Sequence, residues 1–205
     1  MPSNAILIVG GGGHAVVVAD TAAELGLALA GFLDDDPDAP LSRRLDRIGS
    51  IAMIDRADFV GHRPVILAMG DLALRRRLME RLPEHLATII HPTAFISASA
   101  HVGVGVFIGP GAIIHAEATI ADHAIINSGV IVEHHCRVAV NAHLAPGVTL
   151  GGDVRVGEDT LVGLGSSTLP GVRIGDRCTV GAGSAVIQDL PDGRTAVGVP
   201  AREIE

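Results

Sequence analysis

Four consecutive residues, Glu133-His134-His135-Cys136, set two imidazoles between a carboxylate and a thiol, and His143 follows nine residues after His134. A neutral imidazole, with an ordinary pKa of about 6.5, suits general-base work at pH 7. A second cluster is the run Gly10-Gly11-Gly12-Gly13 with His14 behind it, and Asp34 and Asp35 follow some 20 residues on. A glycine loop that ends a strand and opens a helix offers backbone N–H groups and the positive end of the helix dipole to an anion. Gly10-x-Gly12-x-x-Ala15 with those acidic residues fits the loose dinucleotide pattern, in which a carboxylate meets a ribose or base. The same loop also serves as an unliganded tight turn. Ten histidines in one chain mean that clustering alone assigns no role.

The elements that must carry these residues are of two kinds. From Ile96, steps of six land on Ile96, Val102, Ile108, Ile114, Ile120, Ile126, Val132, Val138, Leu144, Leu150, Val156, Val162, Thr168, Ile174, Val180 and Val186, fifteen of sixteen aliphatic. Four residues beyond each stands a small or β-branched residue nearly throughout, as at Ala118, Cys136, Val148 and Cys178. Six residues suit one short strand and a corner, so three units make one coil of a triangular parallel β-helix with a continuous aliphatic core. The first ~90 residues read instead as strand, loop, helix and strand. Strands are expected at Ala5–Val9, Leu27–Leu33, Pro64–Met69 and Ala87–Ile90, with helices from His14 to Leu25 and from an Asp71 N-cap through Arg81. Residues 35–63 show no clear pattern. The division expected is 1–90 and 91–205.

Register sharpens the histidine cluster. Val132 and Cys136 fall on inward positions, so Glu133, His134 and His135 face solvent, as does His143. Gly152 lies 18 residues after His134, hence at the same place one coil on, about 4.8 Å along the stack. A backbone N–H there is positioned to meet an oxyanion forming beside His134. Leu164 and Ala182 form a similar pair above Pro146 on another face, a smooth groove for an elongated ligand. A base on one face and a groove on another combine best between two chains, and a symmetric trimer fits a triangular prism. Metal binding by His115, His123, His134, His135 and His143 is the competing chemistry, but their offsets put them at unlike repeat positions.

Composition narrows the classes. Aromatic residues make up 2% of the chain, net charge is −8, and the 15 basic residues are all Arg with no run longer than Arg75-Arg76-Arg77, which disfavours nucleic-acid partners. A phosphate would then be held by local N–H groups, with Arg75 as the nearby cation. No apolar run reaches the roughly 18 residues of a membrane span. Two cysteines far apart, and a start of Met-Pro-Ser-Asn without signal-peptide character, read as a reduced cytoplasmic protein.

The chain resembles the bacterial nucleotide-amino-sugar N-acetyltransferases, a family that includes sialic-acid O-acetyltransferases. The resemblance rests on Val9-Gly10-Gly11-Gly12-Gly13-His14, Phe32-Leu33-Asp34-Asp35, Gly70-Asp71-x-x-x-Arg75, Ile90-His91-Pro92, the hexapeptide array, Asn127 seven residues before His134, and Val197-Gly198-Val199-Pro200-Ala201. It implies a Rossmann-like α/β domain and a left-handed parallel β-helix in a cytoplasmic homotrimer, with a nucleotide-linked amino sugar and acetyl-CoA as partners and no metal. It further implies that Gly12, Gly13, His14, Asp34, Asp35 and Gly70 meet the sugar nucleotide, with Asn127 also on the substrate side. His134 would be the general base, and His143, Leu164 and Ala182 would line the CoA site. O-acetylation of a sugar, or sugar-nucleotide binding by a weakened trimer, are the alternatives. Two positions depart from the family pattern: His135 stands where an acidic residue usually follows the histidine, and Leu72 where Asn is common.

Overall fold

The computed structural model describes residues 4–82 and 85–204. The leading residues Met1–Ser3, read above for signal character, lie outside them. The chain divides into two compact units, Met1–Pro92 and Thr93–Glu205.

In the first unit, aliphatic runs buried on both faces make a parallel sheet. Its order is β3 (Arg47–Gly49), β2 (Leu29–Leu33), β1 (Ile6–Val9), β4 (Val65–Leu67), with Ile8 beside Phe32 and Ile66. Because β1 has the earlier β2 on one side and the later β4 on the other, the connections diverge at the carboxyl ends of β1 and β4. That divergence opens a crevice there. Helix α1 (Gly13–Glu24) starts at this crevice from Gly12, with no side-chain cap and no acidic residue in its first turn. Helix α3 (Leu72–Met79), after the single turn α2 (Ala57–Val60), is capped by Asp71, whose Oδ1 accepts from the Leu74 N–H at 2.9 Å. Leu7, Val9, Leu33, Ile54, Val65, Leu67 and Leu78 form the core.

Boundaries differ from the sequence expectation by a few residues. Gly26, at φ +66°, turns the chain after α1, and β2 begins at Leu29. The third strand keeps only Val65–Leu67, and Ala87–Ile90, expected as a further strand of this sheet, is not one of its four, only Ile89–Ile90 being a strand. The unpatterned stretch holds β3 and two 3₁₀ turns, Pro40–Arg43 and Ile51–Asp55, anchored by buried Leu41 and Ile54. One anchor per short piece leaves no period to read.

The second unit is a left-handed parallel β-helix of sixteen two-residue strands, from Phe95–Ile96 to Ala185–Val186. Partners lie 18 residues apart, as in Thr119 with Arg137, Ile125 with His143 and Ile131 with Thr149, so three strands complete a coil. Ile108, Ile126, Leu144, Val162 and Val180 stack in the interior, essentially without exposure. The last coil is closed by Thr195–Val197, which pairs with Thr179–Val180 and then with Arg202–Ile204. Among the described residues no helix is long and apolar enough to cross a membrane.

From Gly105 to Gly183 each corner is turned through a residue at positive φ, and the corners differ. One column carries Glu117, His135 and Asp153 at φ from +55 to +62° and then Gly171 at +76°. A second carries Gly105 and then His123, Asn141, Asp159 and Arg177. The third is glycine on each of five coils: Gly111, Gly129, Gly147, Gly165 and Gly183.

Candidate active site

In the first unit the loops after β1, β2 and β4 enclose a cleft of about 530 Å³. Gly12, Gly13, His14, Asp34, Asp35 and Gly70 all line it, together with Met69, Ile51 and Leu74, which the sequence reading did not single out. The glycines have different reasons to be there. A Cβ on Gly11 would stand 2.5 Å from the Phe32 ring and 2.7 Å from the Ala39 side chain, so packing forbids a side chain. Gly12 and Gly13 meet nothing within 4 Å, which leaves the helix start bare toward the cleft. That start is where orphan N–H groups and the dipole favour an anion.

Asp34 holds the loop in place. Its Oδ2 accepts from the Gly11 N–H at 2.6 Å and its Oδ1 from the Asp36 N–H at 2.8 Å. Asp35 Oδ1 accepts from the Ile51 N–H at 3.0 Å. Arg75 corrects the sequence reading. It is fully buried and donates through Nη1 to the carbonyls of Leu67 at 2.7 Å and Met69 at 3.4 Å, so it braces the end of β4 and is not offered to a phosphate. Burial pulls its pKa down to about 10, which leaves it charged at neutral pH.

In the second unit His134 and His135 are both exposed, while Val132 and Cys136 point inward. The His134 ring lies over Gly152 on the next coil: a Cβ there would stand 2.6 Å from His134 Cε1 and 2.7 Å from Nε2. Gly152 is not at positive φ, so its missing side chain makes room for the imidazole. Its carbonyl accepts from Gly171, and its N–H has no protein partner among the described residues. Glu133, His134 and His135 share polar contacts with neighbouring coils. His134 Nδ1 and His135 Nδ1 are 3.0 Å apart with the rings nearly perpendicular, and His135 Nε2 lies 3.1 Å from Glu117 Oε2. Glu133 accepts from the His134 backbone N–H through Oε2 and turns Oε1 to within 3.7 Å of His115 Nε2.

The other site residues stand elsewhere on the coils. Leu164, 57% exposed, and exposed Ala182 are stacked one coil apart at the glycine corner, above Pro146. Asn127 precedes Ser128, the member of that column one coil below Pro146, and its Oδ1 accepts from the Ser128 N–H at 2.8 Å. His143 is half-buried in a strand between Ile125 and Leu161. Within one chain, then, His134 pairs with Gly152 and Leu164 with Ala182, at different corners. Glu117 was missed, although it lies 18 residues before His135 and the coil period reaches it directly.

Neither cysteine is placed as a nucleophile. Cys136 Sγ donates to the Gly151 carbonyl at 3.0 Å, and burial pushes its pKa up to about 11; burial also raises that of Cys178. Among the described residues no three His, Cys, Asp or Glu side chains converge for a metal ion.

Comparison with known proteins bears on both units. The family model of the PglD N-terminal domain matches residues 5–82, and that of the hexapeptide repeat of succinyl-transferase matches residues 153–188. PerB, a GDP-perosamine N-acetyltransferase from Caulobacter crescentus solved with CoA and GDP-perosamine, is 37% identical over 98% of each chain, with a TM-score of 0.91. The acetyltransferase domain of PglB from Neisseria gonorrhoeae, solved with acetyl coenzyme A, is 30% identical over 98% of this chain and 99% of that one, with a TM-score of 0.90. WeeI from Acinetobacter baumannii shares the fold at 20% identity and a TM-score of 0.86. No curated protein sequence matches the chain.

Proposed function

The chain belongs to the bacterial sugar acetyltransferases of the hexapeptide family, and from that premise we propose that it transfers an acetyl group from acetyl-CoA to the amine of a nucleotide-linked sugar. The observation that carries the mechanism is the exposed His134 imidazole seated over Gly152.

Bound acetyl-CoA supplies an acetyl group activated as a thioester. Its extended pantetheine arm calls for a smooth apolar strip, and Pro146, Leu164 and Ala182 offer one at a corner where the neighbouring Gly147, Gly165 and Gly183 carry no side chains. His143 lies in a strand next to that corner. In the first unit the bare helix start at Gly12 and Gly13 suits the diphosphate of the sugar nucleotide, with His14, Asp35 and Gly70 around it. Asp34 shapes the loop that does this, and Asn127 braces the Ser128 turn below the groove.

His134 Nε2 accepts the proton of the attacking sugar amine as its nitrogen bonds to the acetyl carbon. The same proton is then returned to the departing sulfur, so an amide and a free thiol result. The Gly152 N–H donates to the carbonyl oxygen as it gains negative charge. A threefold assembly lets one chain's His134 corner work beside a neighbour's glycine corner, which supports a homotrimer. A cytoplasmic location accompanies this reading, in keeping with the free thiols of Cys136 and Cys178.

The test is release of free CoA thiol with acetyl-CoA and a panel of nucleotide amino sugars, GDP-perosamine included, against matched sugars bearing hydroxyl in place of amine. Turnover confined to the amines is expected. Turnover on hydroxyl acceptors alone, or ligand binding with no turnover, overturns N-acetylation, and full turnover by His134→Ala overturns the assigned base.

A further inference from the structure

We propose that Glu117, acting through His135, is the carboxylate that orients His134, so that this chain replaces a direct histidine–carboxylate pair with a Glu117–His135–His134 relay spanning two coils. The inference rests on the reading of His134 as general base.

The argument is one of tautomers. Glu117, as a carboxylate, only accepts hydrogen bonds, so the 3.1 Å contact requires the proton of neutral His135 to sit on Nε2. His135 Nδ1 is then a bare lone pair. The 3.0 Å contact between the two Nδ1 atoms needs one N–H and one lone pair, so His134 must carry its proton on Nδ1. His134 Nε2 is left unprotonated, on the side of the ring that lies against Gly152. Each contact fixes the next, and the outcome is the tautomer a base needs. When Nε2 takes up the amine proton, the new positive charge lies at the end of a hydrogen-bonded line that finishes in a carboxylate, which favours it electrostatically.

The backbone supports the assignment. Glu117 and His135 occupy one corner column at φ +59 and +62°, a conformation that glycine adopts further along the same column at Gly171 and at the third corner from Gly111 to Gly183. Side chains are kept at these two positions against conformational preference. The rival carboxylate is Glu133, but it is turned toward His115 and the His134 backbone. Asp153 completes the surrounding charges in the same column, one coil beyond His135, with its N–H donating to the His134 carbonyl.

Two measurements on the full-length protein test this. Nitrogen-15 NMR of the histidine rings reads the tautomer without any substrate: His134 protonated on Nδ1 is expected in the wild type, a tautomer mixture in Glu117→Gln, and recovery in Glu117→Gln combined with His135→Asp. The thiol-release assay with acetyl-CoA and the best amino-sugar acceptor should show kcat down about 10- to 100-fold in Glu117→Gln with KM nearly unchanged. In the His135→Asp background, where a carboxylate meets His134 directly, the same Glu117→Gln change should cost less than about twofold. A wild-type tautomer and kcat in Glu117→Gln, or an equal loss in both backgrounds, overturns the relay. His134→Asn separates the two failures. If it is inactive while Glu117→Gln is normal, only the relay falls; if it is fully active, the base assignment falls first.

Discussion

Two corners of the same β-helix follow the same left-handed turn and use it in opposite ways. At the glycine corner five coils in succession present bare backbone beside Pro146, Leu164 and Ala182. At the histidine corner the same backbone position bears Glu117, His135 and Asp153 before it too becomes glycine at Gly171, and the residue before His135 is the proposed base. A uniform scaffold thus makes a smooth binding strip where side chains are withheld and a reactive point where they are kept against conformational preference. On the proposed function, binding falls to the first corner and chemistry to the second.

The largest effect expected from breaking that contrast is at the histidine corner itself. His134→Ala should lower kcat/KM for the amino-sugar nucleotide about 10²- to 10⁴-fold in the thiol-release assay, with thermal unfolding nearly unchanged because the ring is exposed. Gly152→Ala should lower kcat about 10²-fold, since its Cβ would displace the imidazole. Combined with His134→Ala it should add little, because both act on one ring.

At the glycine corner the expected damage is to affinity. Gly165→Asn, a residue that tolerates positive φ, would put a side chain on the strip and should raise KM for acetyl-CoA about tenfold, about 1.4 kcal/mol, with kcat held within twofold. The smallest effect is thermodynamic. Arg177→Gly, at φ +53° on the remaining corner, should raise stability in urea unfolding by about 0.5 kcal/mol and leave turnover unchanged. A loss of turnover there would blur the division between corners.

The β-helix was legible in the sequence because a coil is arithmetic: a phase of six decides inside from outside, and 18 residues bring two side chains together. That count put His134 over Gly152. Applied to the adjacent His135 it reaches Glu117 as well, so that contact too is written in the 18-residue period. The α/β unit is less legible, since its short turns between β2 and α2 each depend on a single buried residue such as Leu41 or Ile54. Arg75 misled for a physical reason. A cation beside a cleft in an acidic chain reads as an anion ligand, and nothing local in the sequence reveals that strand-end carbonyls needed a buried donor.

The left-handed column that holds Glu117 and His135 also bears on how such an enzyme changes over generations. Neighbouring coils have a fixed separation and cannot slide, so a carboxylate lost beside the base has few places from which to be restored. The nearest is one full winding away, which ties the fates of two positions far apart in the gene. Exchange of acid for imidazole at one should then travel with gain of acid at the other, and a lineage altered at only one of them should be slow.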